Sequence, residues 1–297
     1  MMKKFELQPL ANGVYAALAF PGTGAFANAG FVDLGDGVVV FDTFATPDAG
    51  AELKQTAEEV TGKKVPHVVN SHEHFAHIHG NHAFPDAVII STARTREIMA
   101  ERRPAFVEYA KAHPEFFDNL QAEIDQQHDP LKRRELESVY AEFLAVNKAL
   151  NHIEIKLPTV TFDDHLTLHG SQRSVELFCY GGGHTPSDAI LYIPDAKVIL
   201  AADLLHVGYH VPFVYPEEFV DNLEKVLLLD ADTYVPGHGH VGTRADVLAT
   251  QAYIRHLLER VETFTGDPAE VIIPEPYAEW EAPGIYSNNL KKLLNRG

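Results

Sequence analysis

A chain of 297 residues, 45% of them hydrophobic, is long enough to bury a substantial core as one large domain or two small ones. Its 24 basic and 42 acidic side chains leave a formal net charge of -18 at pH 7, which repels phosphate backbones and anionic lipid and argues against nucleic acid or membrane as a partner. The single cysteine, Cys179, excludes an intramolecular disulfide. No apolar run approaches the ~20 residues of a membrane span, and Glu6, Gln8, Pro9 and Asn12 interrupt the stretch where a secretory apolar region would lie, so the expectation is a cytoplasmic protein.

In chain order, the short apolar runs GVYAALAF, NAGFVDLG and GVVVFDT read as strands, with Asp36-Gly37 as a hairpin turn between the last two. TPDAGAELKQTAEEVTG follows as a helix that Thr46 or Asp48 can cap and Gly62 can end. VPHVVN is a buried strand that runs into HEHFAHIHGNH, five histidines within eleven residues, and AVIIST is the next strand. From about Thr92 to His152 the chain turns charged and helical in period. Pro104, Pro114 and Pro130 suit first-turn positions there, Asp129 can cap the last helix, and Leu136, Val139, Tyr140, Phe143 and Val146 form one apolar stripe. This segment is either a solvated insertion covering a core or a lid or dimer surface beside the active site. Strands return in PTVTFDDHLTLHG, SVELFCY, DAILYIP and KVILAAD. A helix, the strand DTYVP, a second helix from Arg244 and a tail containing Trp280 complete the chain. Blocks of strands and helices suggest two sheets packed together with helices outside.

Four of these apolar runs end in metal-ligand residue types. VPHVVN leads into Ser71-His72-Glu73-His74, SVELFCY into Gly181-Gly182-Gly183-His184, KVILAA into Asp203, and DTYVP into Gly237-His238. Strand ends along one sheet edge gather their loops, and clustered imidazole and carboxylate suit a divalent ion such as zinc. A zinc-protease His-Glu-x-x-His fails because Ala76 stands where the second histidine belongs. A cupin would need a glutamate that is missing. An amidohydrolase would need a regular eightfold strand–helix alternation, against which the hairpin-rich opening argues.

HEHFAHIHGN, GGGHTPSD, ILAADLL and VPGHG, with GVVVFDT before them, resemble the ordered motifs of the metallo-β-lactamase superfamily over about residues 13 to 242. The resemblance implies an α/β fold, an αβ/βα four-layer sandwich of two mixed β-sheets with outer helices, as a single domain over 1–297 with a helical insertion at about 92–152. It implies that His72, His74 and His184 hold a first metal, that Asp203 bridges, that His77 and His238 belong to a second metal, and that Asp42 supports the ligands from behind. It also implies a metal-dependent hydrolase acting on a small-molecule carbonyl substrate (ester, lactone, thioester or β-lactam-like amide). The cofactor would be one or two zinc ions, with iron or manganese as other metals, and a homodimer is compatible.

The departure is Ala76, where the family pattern has aspartate: a methyl group neither coordinates a cation nor protonates a leaving group. His79 stands where glycine is common, either as a replacement ligand or as a histidine that supports the ligands from behind or faces substrate, and His82 reads as a packing or surface residue. Asp203, His79, Tyr209 and His210 are therefore the candidate catalytic groups, with His206 a further candidate donor in the loop expected after Asp203. The glycine-rich FPGTGAF (Phe20 to Phe26) is a candidate flap, and Phe44, Tyr209, Phe213 and Tyr215 are candidate pocket walls. Other reaction types, a lyase or a redox enzyme, and a catalytically silent metal-binding protein are the alternatives.

Overall fold

Antiparallel hairpins build the first sheet. The computed structural model describes residues 3–296, with backbone alone for 104–106. Strands β1 (Phe5–Ala11), β2 (Val14–Ala19), β3 (Ala29–Asp33) and β4 (Val38–Phe41) pair in order. Asp33 registers with Val38, so Asp36-Gly37 forms the expected turn. Helix α1 (Pro47–Thr61) begins where the Thr46 hydroxyl accepts the Ala49 N–H, and it stops at Gly62, whose left-handed φ of 69° lets its N–H donate to Glu58. Strand β5 (His67–Val69) leads into the short α2 (Phe75–Ile78). Strand β6 (Val88–Thr92) precedes α3 (Ala93–Ala112), α4 (Glu115–Gln126) and α5 (Pro130–Ala149), and β7 (Val160–Phe162) completes a seven-stranded sheet whose β4 to β7 are parallel.

The second sheet has the order β12-β11-β10-β9-β8, from β8 (His165–His169), β9 (Ser174–Cys179), β10 (Ala189–Ile193), β11 (Val198–His206) and β12 (Thr233–His238). Its β11–β12 pair is parallel and the rest antiparallel, so both sheets are mixed. Helices α6 (Pro216–Val226), α7 (Arg244–Val261) and α8 (Pro283–Leu294) cover it.

Alternation along the strands assigns three apolar layers. Val32, Val39 and Phe41 face Leu177, Leu191 and Leu200 between the sheets. Phe31, Val38 and Val40 face Leu53 and Ala57 of α1. Ile190, Ile199 and Tyr234 face Phe219, Tyr253 and Leu290 of the outer helices. The architecture is thus the expected four-layer sandwich. Among the described residues no helix is long and apolar enough to cross a membrane.

Three local readings differ. β1 was not expected, because Glu6, Gln8 and Pro9 mask it. It is a half-exposed strand at the sheet edge, where a proline is tolerated. Pro104 lies inside α3 rather than in a first turn, whereas Pro130 opens α5 behind the Asp129 cap as expected. β11 runs three residues past Asp203, to His206.

The helical insertion is anchored at three points by α5. Glu142 accepts the Gly22 N–H at 2.6 Å, Glu135 accepts the Gly284 N–H at 3.1 Å, and Arg134 pairs with Glu281 at 2.6 Å. The stripe turns inward: Phe143 meets Phe26 and Phe75, and Val146 joins the cluster containing Ala27, Ala45 and Ala76. Burial pushes the Glu142 carboxyl up to about 7, against the lowering effect of the N–H groups of Gly22 and Gly24. A folded-state value raised above the ordinary one favours the protonated fold. That contribution is complete below about pH 4.5 and is lost as pH rises through about 7. Glu142→Gln is therefore expected to be more stable than wild type above pH 7, by up to about 3 kcal/mol, with the advantage shrinking towards pH 5. The buried Asp188 is also pushed up to about 7, so the readout is the difference in thermal midpoint between the two proteins across pH 5–9. A difference that does not change with pH would show that Glu142 does not titrate there.

Candidate metal centre

The side chains converge because the strands that carry them end on one edge. β5 delivers Ser71 to His77, β9 the loop to His184, β11 Asp203 and His206, and β12 His238. The Asn28 side-chain amide ties the sheets together below them, donating to the carbonyls of Pro236 and Gly239 at 3.0 and 2.9 Å. The GGGHTPSD loop is held by Asp188, which accepts the Thr185 N–H and hydroxyl at 3.0 and 2.6 Å.

Asp203 sits at the centre with its two oxygens facing different histidines. Oδ2 lies 3.1 Å from His184 Nε2 and 3.7 Å from His72 Nε2, and His184 Nε2 is 2.9 Å from His74 Nδ1. Oδ1 lies 3.4 Å from His77 Nε2, 3.6 Å from His206 Nε2 and 3.9 Å from His238 Nε2. Metal bonds of about 2.0–2.2 Å in a tetrahedron imply ligand–ligand edges of about 3.3–3.6 Å, and these spacings bracket that value. Among the described residues His72, His74, His184 and Asp203 form one group that could hold a cation, and Asp203, His206 and His238 form another.

The second nitrogen of several rings is held by an acceptor, which fixes the tautomer. Asp42 accepts the Ser71 N–H and hydroxyl, each at 2.8 Å, so Ser71 Oγ in turn accepts from His72 Nδ1–H at 2.9 Å. Asp42 also accepts His77 Nδ1–H at 2.8 Å. It does this from a left-handed backbone (φ 62°), a conformation that costs about 1 kcal/mol. His184 Nδ1–H donates to the Pro212 carbonyl at 2.8 Å, and His206 Nδ1–H to the His210 carbonyl at 3.3 Å. Each of these rings thereby turns Nε2 inward.

Burial by itself would raise the Asp203 carboxyl, but His77 and His184 outweigh it and hold it well below the usual carboxylate range. Burial by itself would lower His77, yet Asp203 and Asp42 push it up to about 10, so a cation entering beside it competes with a proton. Burial, then the neighbouring imidazoles, hold His72 well below its ordinary value.

Six sequence-predicted metal residues, His72, His74, His77, His184, Asp203 and His238, are thus brought together. His79 is not. Fully buried, its Nδ1 faces the Ala45 carbonyl at 3.3 Å and its ring packs on Phe75. His210 is also turned away, into a box of Tyr253, Trp280 and Tyr286. Tyr209 is half-buried, with its ring 6.2 Å from that of His238. His82 is at the surface beside Glu154. Phe44 packs on Phe5 beneath α1, and Phe213 lies beneath the outer helices, so neither lines the site; Phe26, Phe75 and Phe143 form the aromatic wall there instead. Arg103 of α3 is near enough to depress His74 and His79 electrostatically, and Glu73 offsets part of its own burial. Sequence reasoning missed this pair, since neither residue carries a spacing signal.

A family model described as the Metallo-beta-lactamase superfamily matches residues 22–238. No curated protein matches the sequence. Among solved structures, the chain is similar to a metallo-beta-lactamase from Pontibacter korlensis, with a TM-score of 0.62 and 15% identity over 84% of this chain and 99% of that one. It is also similar to TMB-1 (0.59 and 15%, over 86% and 99%) and to the DIM-1 metallo-beta-lactamase exposed to ceftazidime (0.61 and 13%, over 85% and 97%).

Proposed function

The chain belongs to the metallo-beta-lactamase superfamily, and from that premise we propose that it is a metal-dependent hydrolase of a small carbonyl substrate. One observation carries the reading: a buried, ionised carboxylate, Asp203, faces inward-turned imidazoles with both of its oxygens. His72, His74, His184 and Asp203 would hold a first cation, and Asp203, His77 and His238 belong to a second. The donor set, imidazole with one carboxylate, suits zinc. A bound cation supplies Lewis acidity, polarising the carbonyl and making water a nucleophile near neutral pH.

The chain's own groups do the rest. Asp42, Ser71 and Pro212 keep the ring nitrogens in the ligating tautomer. Phe26, Phe75 and Phe143 form an apolar wall that α5 closes over, excluding bulk water and seating an uncharged acyl portion of the substrate. Tyr209, whose ring lies 6.2 Å from that of His238, is the candidate proton donor to the leaving group in place of the carboxylate that position 76 lacks. Esters, lactones, thioesters and β-lactam-like amides are the substrate classes this arrangement accommodates.

The test is metal content together with a panel of chromogenic esters, lactones, thioesters and β-lactams. Wild type is expected to retain zinc through gel filtration and to turn over at least one class, and His184→Ala to lose activity and most of its metal. His184→Ala that keeps its full metal content, or wild type that binds no cation, would sink the proposal.

A further inference from the structure

His206 stands three residues after Asp203 on β11, and in a regular strand residues i and i+3 point to opposite faces. Here they share one. The β11–β12 register shifts between Ala202 and His206, and Ala202 takes a left-handed φ of 44°. This irregularity places His206 directly against His238 in the parallel pair, with ring centroids 4.8 Å apart. Both Nε2 atoms point at the same oxygen, Asp203 Oδ1. His206 is 4% exposed, its Nδ1–H is held by the His210 carbonyl, and its Nε2 has no hydrogen-bond partner. Leaving such an atom buried and unsatisfied costs about 1–3 kcal/mol, a cost that a bound cation removes.

Position 76 is unsuited to the same task. Ala76 is packed in an apolar cluster with Ala27, Ala45, Val107 and Val146, beneath the helical insertion. We propose that His206 is a ligand of the second cation, an imidazole from β11 taking the place of the carboxylate missing at position 76, so that this position is formed by Asp203, His77, His206 and His238. The inference rests on the metal reading above. Three imidazoles and one shared carboxylate neutralise little cationic charge and are softer than a two-carboxylate set, so the position selects zinc or cobalt(II) over manganese(II) or magnesium(II).

The experiment titrates chelator-stripped full-length protein with cobalt(II) and with zinc, reading stoichiometry by elemental analysis and stepwise affinity by calorimetry. Wild type is expected to take two ions. His206→Gln, checked for folding by circular dichroism, should keep the first ion at unchanged affinity and bind the second at least about 10-fold more weakly. His79→Gln should keep both. In wild type the second zinc equivalent should move three imidazole nitrogen resonances, those of His77, His206 and His238, rather than two, a readout that needs no variant to fold. Two ions bound with unchanged affinity by His206→Gln overturns the inference, as does a second ion lost in His79→Gln instead. Wild type saturating at one ion, with His206→Gln identical to it, overturns the inference and leaves the hydrolase reading standing. Wild type binding no ion overturns both.

Discussion

Asp203→Ala is expected to abolish hydrolysis and to release both cations. Among the described residues Asp203 is the carboxylate that faces the inward-turned Nε2 atoms, and each of its oxygens faces a different set of them. Removing it takes one anionic donor from both positions at once. It also removes the largest charge that raises His77 and His184, leaving Asp42 beside His77. The loss should exceed the 10–100-fold that a supporting group contributes to a metal site. Elemental analysis after dialysis, alongside turnover of the best substrate, measures it. Retention of even one ion at wild-type affinity would show that the imidazoles alone form a site and that Asp203 is not its centre.

Gly237→Ala is expected to damage the same centre without touching a ligand. A Cβ built on Gly237 would lie 1.8 Å from Asp203 Oδ1, far inside any real contact. The obstacle is a buried carboxylate rather than the free end of a flexible chain, so Asp203 or β12 must shift. Moving the carboxylate by even an ångström spoils spacings of 3.4 to 3.9 Å to His77, His206 and His238. Loss should fall most heavily on the second ion, since Oδ1 is the oxygen displaced. Gly237→Ala should therefore keep part of the first ion's affinity while its activity drops at least about 10-fold. Wild-type affinity for both ions would mean that the backbone absorbs the methyl group and that this glycine is no spacer.

Much of the arrangement was legible in the amino-acid order, because local signals carry it. Alternating apolar runs, the Asp36-Gly37 turn, the Thr46 cap and the Gly62 stop each act within a few residues, and the structure keeps them all. The ordered His and Asp motifs pointed to six of the seven side chains that meet at the sheet edge, since a strand end fixes where its next residues project. The inward stripe of α5 was legible as a stripe, for which a covered core, a lid and a dimer surface were all open: periodicity reports that a face is apolar but not what it packs against. What it covers here is Phe26 and Phe75.

Tertiary structure decided the rest, and His206 and His79 show why. His79 sits in the histidine-rich run, so the sequence left it as a replacement ligand, a support behind the ligands or a substrate-facing group, but the short helix α2 and the turn after it direct its ring to the Ala45 carbonyl. His206 looked like a loop residue beyond the end of a strand. Only the irregularity at Ala202 and the pairing with β12 turn it to the side of Asp203. Strand parity is reversed by one extra residue, and nothing in KVILAADLLH marks where that residue falls. Composition and motif order determined which donors this protein possesses; the register between two parallel strands decided which of them face one another.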